Sequence, residues 1–298
     1  MLKRPKCGLI HQDGFLIYSY PEVTSTNDLL LEAGREGAKS GTVVAAFSQT
    51  AGKGSKGRSF YSPPEGLYLS VLVRPGARTN ASTVDGAPPI CPPLTVEETQ
   101  LITPAVACAV ADACEKFCRR PVGIKWVNDI YLTGKKVAGI LTESAVDVND
   151  ERFYVIGVGV NISPPEGGFP EEFAENTTTL FYEKPFSAVR TLLQDQILGN
   201  INNRLNQIRG RDFLYDYTRR SVLIGYTVEV HPLDGTEPYL AEAVRIDKQA
   251  RLIVRTAQGE LKTLSSEEVK ISPVETLSGE RAEVFDIGSR SNNNGSDE

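Results

Sequence analysis

Three β-rich segments, at residues 123–132, 136–145 and 153–162, follow one another with only short connections, and they constrain the fold more than any other feature. Gly134 and Lys135 mark a tight turn between the first two segments. Helical patterns precede and follow this region of the chain. We therefore predict an α/β (α+β) fold in which a multi-stranded sheet packs against helices.

Further segments extend this sheet and supply its helices. Strand patterns occupy residues 15–20, 42–47 and 67–73, while helical patterns occupy residues 29–33, 95–118 and about 186–219. Pro104 is expected to kink or divide the second helix. Residues 75–93 are rich in Pro, Gly, Ala, Ser and Thr and are predicted to form a long loop.

The C-terminal quarter changes to short strands separated by turns, at residues 226–230, 239–246, 251–256 and 260–264. This pattern indicates a small β-barrel. We predict a larger α/β domain over residues 1–220, a barrel over residues 221–275 and a disordered polar tail over residues 276–298.

Charge and cysteine content exclude several classes of protein. The 298-residue chain has a formal net charge of -6, which argues against a surface made for nucleic acid. No secretory signal or membrane-spanning stretch is evident, and we expect a cytoplasmic protein. The five cysteines are scattered, with few histidines nearby, and are expected to be buried reduced thiols without a metal.

A glycine- and lysine-rich loop, residues 52–58, joins two of the predicted strands. Its letters match G-x-G-x-x-G and approach a P-loop, but a strand follows where both motifs require a helix. Glycines let the backbone approach a ligand, and Lys53, Lys56 and Arg58 bring positive charge to it. The loop suits a polyphosphate, although a solvated basic turn explains the same residues.

Four other motifs also have two explanations. Ser25-Thr26-Asn27 could bind a cyclic urea or cap a helix. In a strand, Lys125, Val127 and Asp129 would share one face, as a functional set or as an ordinary amphipathic strand. Interior glycines at Gly139, Gly157 and Gly159 require something to approach closely, either a ligand or a packed neighbour.

Taken in order, these motifs resemble biotin–protein ligases. The most specific are Lys-Trp-Val-Asn-Asp at residues 125–129 and Lys-Val-Ala-Gly-Ile-Leu at residues 136–141. The resemblance covers residues 15–161, and the terminal β module fits the same family. It implies a mixed-sheet catalytic domain with a small SH3-like barrel, and a ligase that forms biotinyl-5′-adenylate from biotin and ATP before acylating a lysine of a biotin carboxyl carrier domain.

The resemblance also implies roles for individual residues. Lys136, Lys125 and Asp129 would be catalytic, and Asn161 and Phe60 would bind adenine. Mg²⁺ would accompany ATP. The residues expected to bind biotin or the adenylate are Ser25, Thr26, Asn27, Gln49, Gly52, Lys53, Gly54, Ser55, Lys56, Arg58 and Gly139.

Two positions depart from the family pattern. Ser55 stands where an arginine is common, which weakens the expected grip on the adenylate unless Lys53 or Lys56 compensates. Val127 replaces a usual proline. The segment before Phe15 is too short for a winged helix, so we expect no DNA binding; a homodimer is possible. The competing functions are a lipoate–protein ligase and a biotin-binding sensor without activity.

Overall fold

The computed structural model describes residues 7–12, 14–79, 89–266 and 269–273. The predicted tail over residues 276–298 and the middle of the loop over residues 75–93 lie outside these ranges. Within them the chain forms two sheets and a set of helices.

The larger sheet has eight strands in the described residues, in the order β1-β2-β3-β4-β8-β7-β6-β5. It is mixed, because β2 and β3 are parallel while every other neighbouring pair is antiparallel. The predicted mixed-sheet fold is therefore confirmed. The strands are β1 (Cys7–Gln12), β2 (Phe15–Val23), β3 (Thr42–Gln49), β4 (Gly66–Val73), β5 (Gly123–Lys125), β6 (Asp129–Leu132), β7 (Lys135–Val146) and β8 (Arg152–Asn161).

Helices flank this sheet. Helix α1 (Thr26–Arg35) packs on β3, β4, β7 and β8, with Leu30 fully buried against Val44, Leu72 and Phe153. The helices α2 (Ile102–Cys118), α4 (Val189–Asn206) and α5 (Phe213–Arg219) pack against one another in the main core, and α3 (Glu171–Ala174) is a single turn.

Two predicted elements differ from those observed. Residues 123–132 form a hairpin rather than one strand, because a turn at 126–128 pairs Lys125 with Asp129. The predicted helix over residues 95–118 begins at Ile102, after a 3₁₀ turn at Glu98–Leu101 that Thr95 and Glu98 cap reciprocally. Pro104 lies in the first turn of α2, where a backbone N–H has no helical partner to lose.

The C-terminal region folds into a second, antiparallel sheet with five strands in the described residues, in the order β12-β11-β10-β9-β13. Four of these strands were predicted, and the last was not. The valine, leucine and alanine side chains of this second sheet join the same continuous core as the helices. The strands are β9 (Thr227–Pro232), β10 (Tyr239–Ile246), β11 (Leu252–Thr256), β12 (Leu261–Leu264) and β13 (Val269–Pro273).

Cysteines contribute to the core as small apolar side chains. Cys91, Cys108 and Cys114 are buried and carry free thiols. Burial raises the pKa of Cys91 and of Cys108 to about 12, so these thiols are protonated at neutral pH and poor nucleophiles.

Candidate functional site

A pocket opens where the N-terminus of α1 meets the end of β3 and the central parts of β7 and β8. The empty space between its walls is about 450 Å³, a figure that includes open solvent at its mouth. The side chains around it change from polar at the α1 end to cationic at the β7 end. The lining residues are Ser25, Thr26, Asn27, Gln49, Lys53, Gly54, Ser55, Phe60, Asn128, Lys136, Gly139, Ile140, Leu141, Gly157, Val158 and Gly159.

Hydrogen bonds hold the polar end in one arrangement. Ser25 is the N-cap of α1 and accepts a long hydrogen bond from the Asp28 N–H, at 3.4 Å. Gln49 at the end of β3 accepts from the Thr26 backbone N–H at 2.8 Å, and it donates to Ser62 at 2.9 Å. A helix N-terminus presents unpaired N–H groups, so the Gln49 side chain here acts as a second cap.

Two glycines of β8 form the floor of the pocket. A Cβ atom built on Gly157 would lie 2.2 Å from Asn27 Oδ1, and one built on Gly159 would lie 2.7 Å from the Phe60 ring. Neither position tolerates a side chain without displacing a neighbour. The close approach expected from the sequence is therefore made by protein groups, Asn27 and Phe60, that themselves line the pocket.

Lys136 and Asp129 form the opposite, charged end. Lys136 Nζ lies 2.6 Å from Asp129 Oδ1 and 5.5 Å above the centre of the Phe60 ring. Lys125 lies over Tyr131, 5.8 Å from the ring centre. Burial lowers the pKa of Lys125, nearby Asp129 opposes that shift, and Arg58 and Lys136 reinforce it. Lys136 contacts the Asp129 carboxylate directly, and Lys125 is influenced by that carboxylate and by the positive charges of Arg58 and Lys136. The cations outnumber the carboxylate, which favours binding of an anion.

The basic loop is a compact turn rather than an open one. Gly54 N–H donates to the Arg58 carbonyl at 2.7 Å, and Phe60 N–H donates to the Gly52 carbonyl at 2.8 Å. Lys56, the residue at the tip, adopts a left-handed conformation with a φ of 58°.

Each cation of the loop has a different contact. Lys53 pairs with Asp28 of α1, which raises the pKa of Lys53 chiefly through their hydrogen bond. Lys56 Nζ donates to the Val269 carbonyl in β13. The Arg58 guanidinium donates to Ser55, at 2.8 Å to the hydroxyl and 3.2 Å to the carbonyl.

The structure therefore brings together part of the predicted set. Ten of those residues line the pocket: Ser25, Thr26, Asn27, Gln49, Lys53, Gly54, Ser55, Phe60, Lys136 and Gly139. Asp129 contacts it through Lys136, and Gly52 lines a neighbouring groove on the far side of Gln49 and Phe60. Lys56, Arg58, Lys125 and Asn161 do not line the pocket; the Asn161 amide instead donates to the Thr178 carbonyl at 3.2 Å.

Sequence reasoning missed several residues of the site. Ile140, Leu141 and Val158 look like ordinary buried strand positions, and only their neighbouring glycines signal a ligand. Ser70 on β4 and Glu143 on β7 contact the polar end from behind, through Asn27. Neither the serine in the fully buried strand β4 nor the glutamate in β7 lies in a motif that the sequence singled out.

No helix in the described parts of the chain is both long and apolar enough to cross a bilayer. Within the same residues, no cluster of three or more His, Cys, Asp or Glu side chains is placed to hold a metal ion.

Comparison with known proteins agrees with this architecture. Residues 20–161 match the model of the biotin/lipoate A/B protein ligase family. The biotin–[acetyl-CoA-carboxylase] ligase of Mycobacterium tuberculosis is 32% identical over 235 residues, which cover 76% of this chain and 79% of that protein. The bifunctional ligase/repressor BirA of Bacillus subtilis is 28% identical, over 85% of this chain and 73% of its own.

A solved structure shows the same fold. The biotin protein ligase from Aquifex aeolicus, in complex with biotin and ATP, superimposes with a TM-score of 0.66 at 23% identity, covering 87% of this chain and 99% of that one. Together with the mycobacterial relative and the family model, this establishes that the chain is a ligase of the biotin/lipoate A/B protein ligase family.

Proposed function

We propose that the protein is a biotin–protein ligase, which activates biotin with ATP as biotinyl-5′-adenylate and transfers it to a lysine of a biotin carboxyl carrier domain. One observation carries the proposal. A single pocket joins a wall of hydrogen-bonding side chains at the start of α1, where the lining residue Lys53 is paired with Asp28, to a cationic end at Lys136. Biotin has the matching polarity, with a neutral cyclic urea at one end and a carboxylate at the other.

The α1 end is suited to the urea. Because Ser25 Oγ accepts from the Asp28 N–H, its hydroxyl hydrogen is free to donate to the urea carbonyl. The Thr26 hydroxyl and the Asn27 amide complete the polar wall, and Gln49 fixes the position of Thr26. Ile140, Leu141 and Val158 supply apolar surface for the rest of the ligand.

Lys136 is suited to the first chemical step. A biotin carboxylate oxygen attacks the α-phosphorus of ATP. The bond between that phosphorus and the oxygen bridging to the β-phosphorus breaks, and the products are the mixed anhydride and pyrophosphate. Both reactants are anions, so a fixed cation between them lowers their repulsion and stabilises the charge that builds on the phosphorus. Asp129 holds Lys136 in place, while Lys125 and Arg58 supply further positive charge for the phosphates. Mg²⁺ arrives with the ATP phosphates.

In the second step a carrier lysine, as the free amine, attacks the acyl carbon, AMP leaves with the electron pair of the broken C–O bond, and the attacking nitrogen releases one proton to solvent as the amide forms. Phe60 offers a ring face to the nucleotide beside Lys136. Asn161 is proposed to bind adenine as well, which requires its amide to exchange its bond to Thr178 for the ligand. The basic loop, residues 52–58, is proposed to cover the adenylate and exclude water.

Lipoate–protein ligase is the nearest alternative, because the family includes both activities. Pyrophosphate release is measured with ATP and either biotin or lipoate, and the acid-soluble products are identified by mass spectrometry. We expect turnover with biotin, biotinyl-5′-adenylate without carrier, and labelled carrier domain when it is added. Turnover with lipoate alone would assign the other activity, and biotin binding without adenylate would identify a sensor.

A further inference from the structure

A chain of hydrogen bonds lies behind the polar end of the pocket, buried at Ser70 and partly buried at Glu143. Asn27 Nδ2 donates to Glu143 Oε2 at 2.7 Å and weakly to the Leu141 carbonyl at 3.4 Å. Ser70 Oγ lies 2.6 Å from Asn27 Oδ1 and 2.8 Å from Thr26 Oγ1. Ser70 is fully buried, and Asn27 and Thr26 are each 4% exposed, so water does not substitute for these partners.

Counting the available hydrogens fixes which atoms donate and which accept around the Asn27 amide. Glu143 as a carboxylate can only accept, so the Asn27 NH₂ group must face it; the flipped amide would set two oxygens against each other. An amide oxygen also only accepts, so the single Ser70 hydroxyl hydrogen is donated to Asn27 Oδ1. Glu143 and Ser70 therefore fix the same amide orientation from opposite sides.

We infer that Ser70 and Glu143 are positioning residues that set the hydrogen-bonding polarity of the urea end of the pocket. This inference rests on the proposed biotin ligase function. With both Asn27 N–H groups used inside the protein, its oxygen keeps one lone pair for the ligand. The wall then presents an acceptor beside the Ser25 hydroxyl donor, the complement of a urea N–H beside a urea carbonyl.

Gly157 makes this arrangement possible. Any side chain at that position would meet Asn27 Oδ1, since an added Cβ would lie 2.2 Å from it. The amide is therefore held on three sides, by the Gly157 backbone, by Ser70 and by Glu143. Neither Ser70 nor Glu143 lines the pocket. Ser70 therefore acts on a ligand through Asn27 and Thr26, and Glu143 acts through its hydrogen bond to Asn27 and its charge near Lys53.

The test compares Ser70→Ala, Glu143→Leu and Glu143→Gln with the wild type. Pyrophosphate release is measured first with biotin varied at saturating ATP, and then with ATP varied at saturating biotin. Thr142→Val is the matched control. Thr142 is the neighbour of Glu143 on β7, it shares a 2.7 Å hydroxyl hydrogen bond with Thr103, and it does not line the pocket. Melting temperatures are recorded for every variant.

We expect the KM for biotin to rise about tenfold in Ser70→Ala and Glu143→Leu, as for loss of one well-placed hydrogen bond. The KM for ATP and kcat stay within about twofold, because the urea is remote from the reacting carboxylate. Glu143→Gln keeps a near wild-type biotin KM, since its amide oxygen still accepts from Asn27. Thr142→Val lowers the melting temperature without changing the KM for biotin.

Unchanged biotin KM in Ser70→Ala and Glu143→Leu, with an active wild type, overturns the inference. So does a Glu143→Gln variant as impaired as Glu143→Leu. Should Ser70→Ala fail to fold, the two Glu143 variants decide the question alone. A wild type without biotin-dependent turnover instead overturns the proposed function, and with it the ligand assigned to this end of the pocket.

Discussion

At the scale of single residues, the net charge at the Lys136 end of the pocket depends on how far the Asp129 carboxylate neutralises the nearby cations. Asp129 is buried, and its 2.6 Å contact with Lys136 offsets part of the cost of placing both charges in a largely dry site. Lys125 and Arg58 add further positive charge to this cluster, in which neither has a carboxylate of its own. Under the proposed function, the triphosphate of ATP would supply the missing negative charge.

Lys136→Ala is expected to lower the rate of adenylate formation by about 10²- to 10³-fold, the usual effect of deleting a preorganised electrostatic group. Single-turnover pyrophosphate release measures the rate, and circular dichroism checks the fold. Lys135→Ala removes the same charge from the exposed neighbouring residue and should leave the rate unchanged. An active Lys136→Ala enzyme would remove Lys136 from the mechanism.

The pH dependence of the reaction should reflect Lys125. Because burial lowers its pKa, Lys125 loses its proton at a lower pH than an exposed lysine does, and the phosphates then lose one of their cations. The adenylation rate is therefore expected to fall as pH rises through that lowered pKa. Lys125→Arg keeps the charge at every accessible pH, so the alkaline limb of the pH–rate profile should move to higher pH.

The control for this experiment is Lys135→Arg, which should reproduce the wild-type profile. An alkaline limb that stays in place in Lys125→Arg would show that another group controls it.

At the scale of elements, the basic loop offers a third residue, Arg58, that we expect to compensate for Ser55. Neither Lys53 nor Lys56 is directed at Ser55, since Lys53 pairs with Asp28 and Lys56 contacts Val269. Arg58 instead lies on Ser55, hydrogen-bonded to its hydroxyl and carbonyl. We therefore expect Arg58, which does not line the pocket in this structure, to supply through Ser55 the positive charge that the resemblance places at position 55.

Arg58→Ala is expected to increase the escape of free biotinyl-5′-adenylate severalfold, because the loop loses two hydrogen bonds and its cation near Ser55. Escape is measured by quenched time points without carrier, followed by chromatography. Ser55→Arg in the Arg58→Ala background should slow escape again, and Arg35→Ala on the exposed end of α1 is the control. Equal escape from wild type and Arg58→Ala would refute compensation by Arg58.

The elements also show where sequence reasoning ends. Hydrophobic periodicity was enough to predict most strands and helices, and glycine spacing on β8 pointed to a close approach. The turn at residues 126–128 was missed because long-range bonds hold it: Trp126 Nε1 donates to the Ala250 carbonyl and Tyr217 Oη to the Val127 carbonyl, both at 2.9 Å. Ser70 was missed for the same reason, since its role depends on residues more than forty positions away.

At the scale of the whole molecule, the small C-terminal sheet contacts the segments that build the site. Trp126 of the motif at residues 125–129 donates to Ala250, and Lys56 of the basic loop donates to Val269. Ile124 also exchanges hydrogen bonds with Arg220 and Val222, on either side of the predicted boundary between domains. The second sheet is therefore expected to support the geometry of the pocket; the domain limits and a homodimer stay predictions.

Trp126→Phe tests this link, because it keeps an aromatic ring but removes the indole N–H that Ala250 accepts. Losing a buried hydrogen bond and part of the side-chain volume should lower the free energy of unfolding by about 2 kcal/mol and the melting temperature by several degrees. The turn that Trp126 anchors also carries Asn128, which lines the pocket and donates to the Ile140 carbonyl at 2.6 Å.

For that reason kcat/KM for adenylation should fall as well, by about tenfold, at a temperature where the variant is still fully folded. Tyr215→Phe, at a residue whose side chain is 74% exposed, supplies the matched aromatic control and should change neither quantity. Loss of stability with full activity would mean that the C-terminal sheet supports the fold alone. Loss of both would show that the sheet acts on the pocket through this one hydrogen-bonded turn.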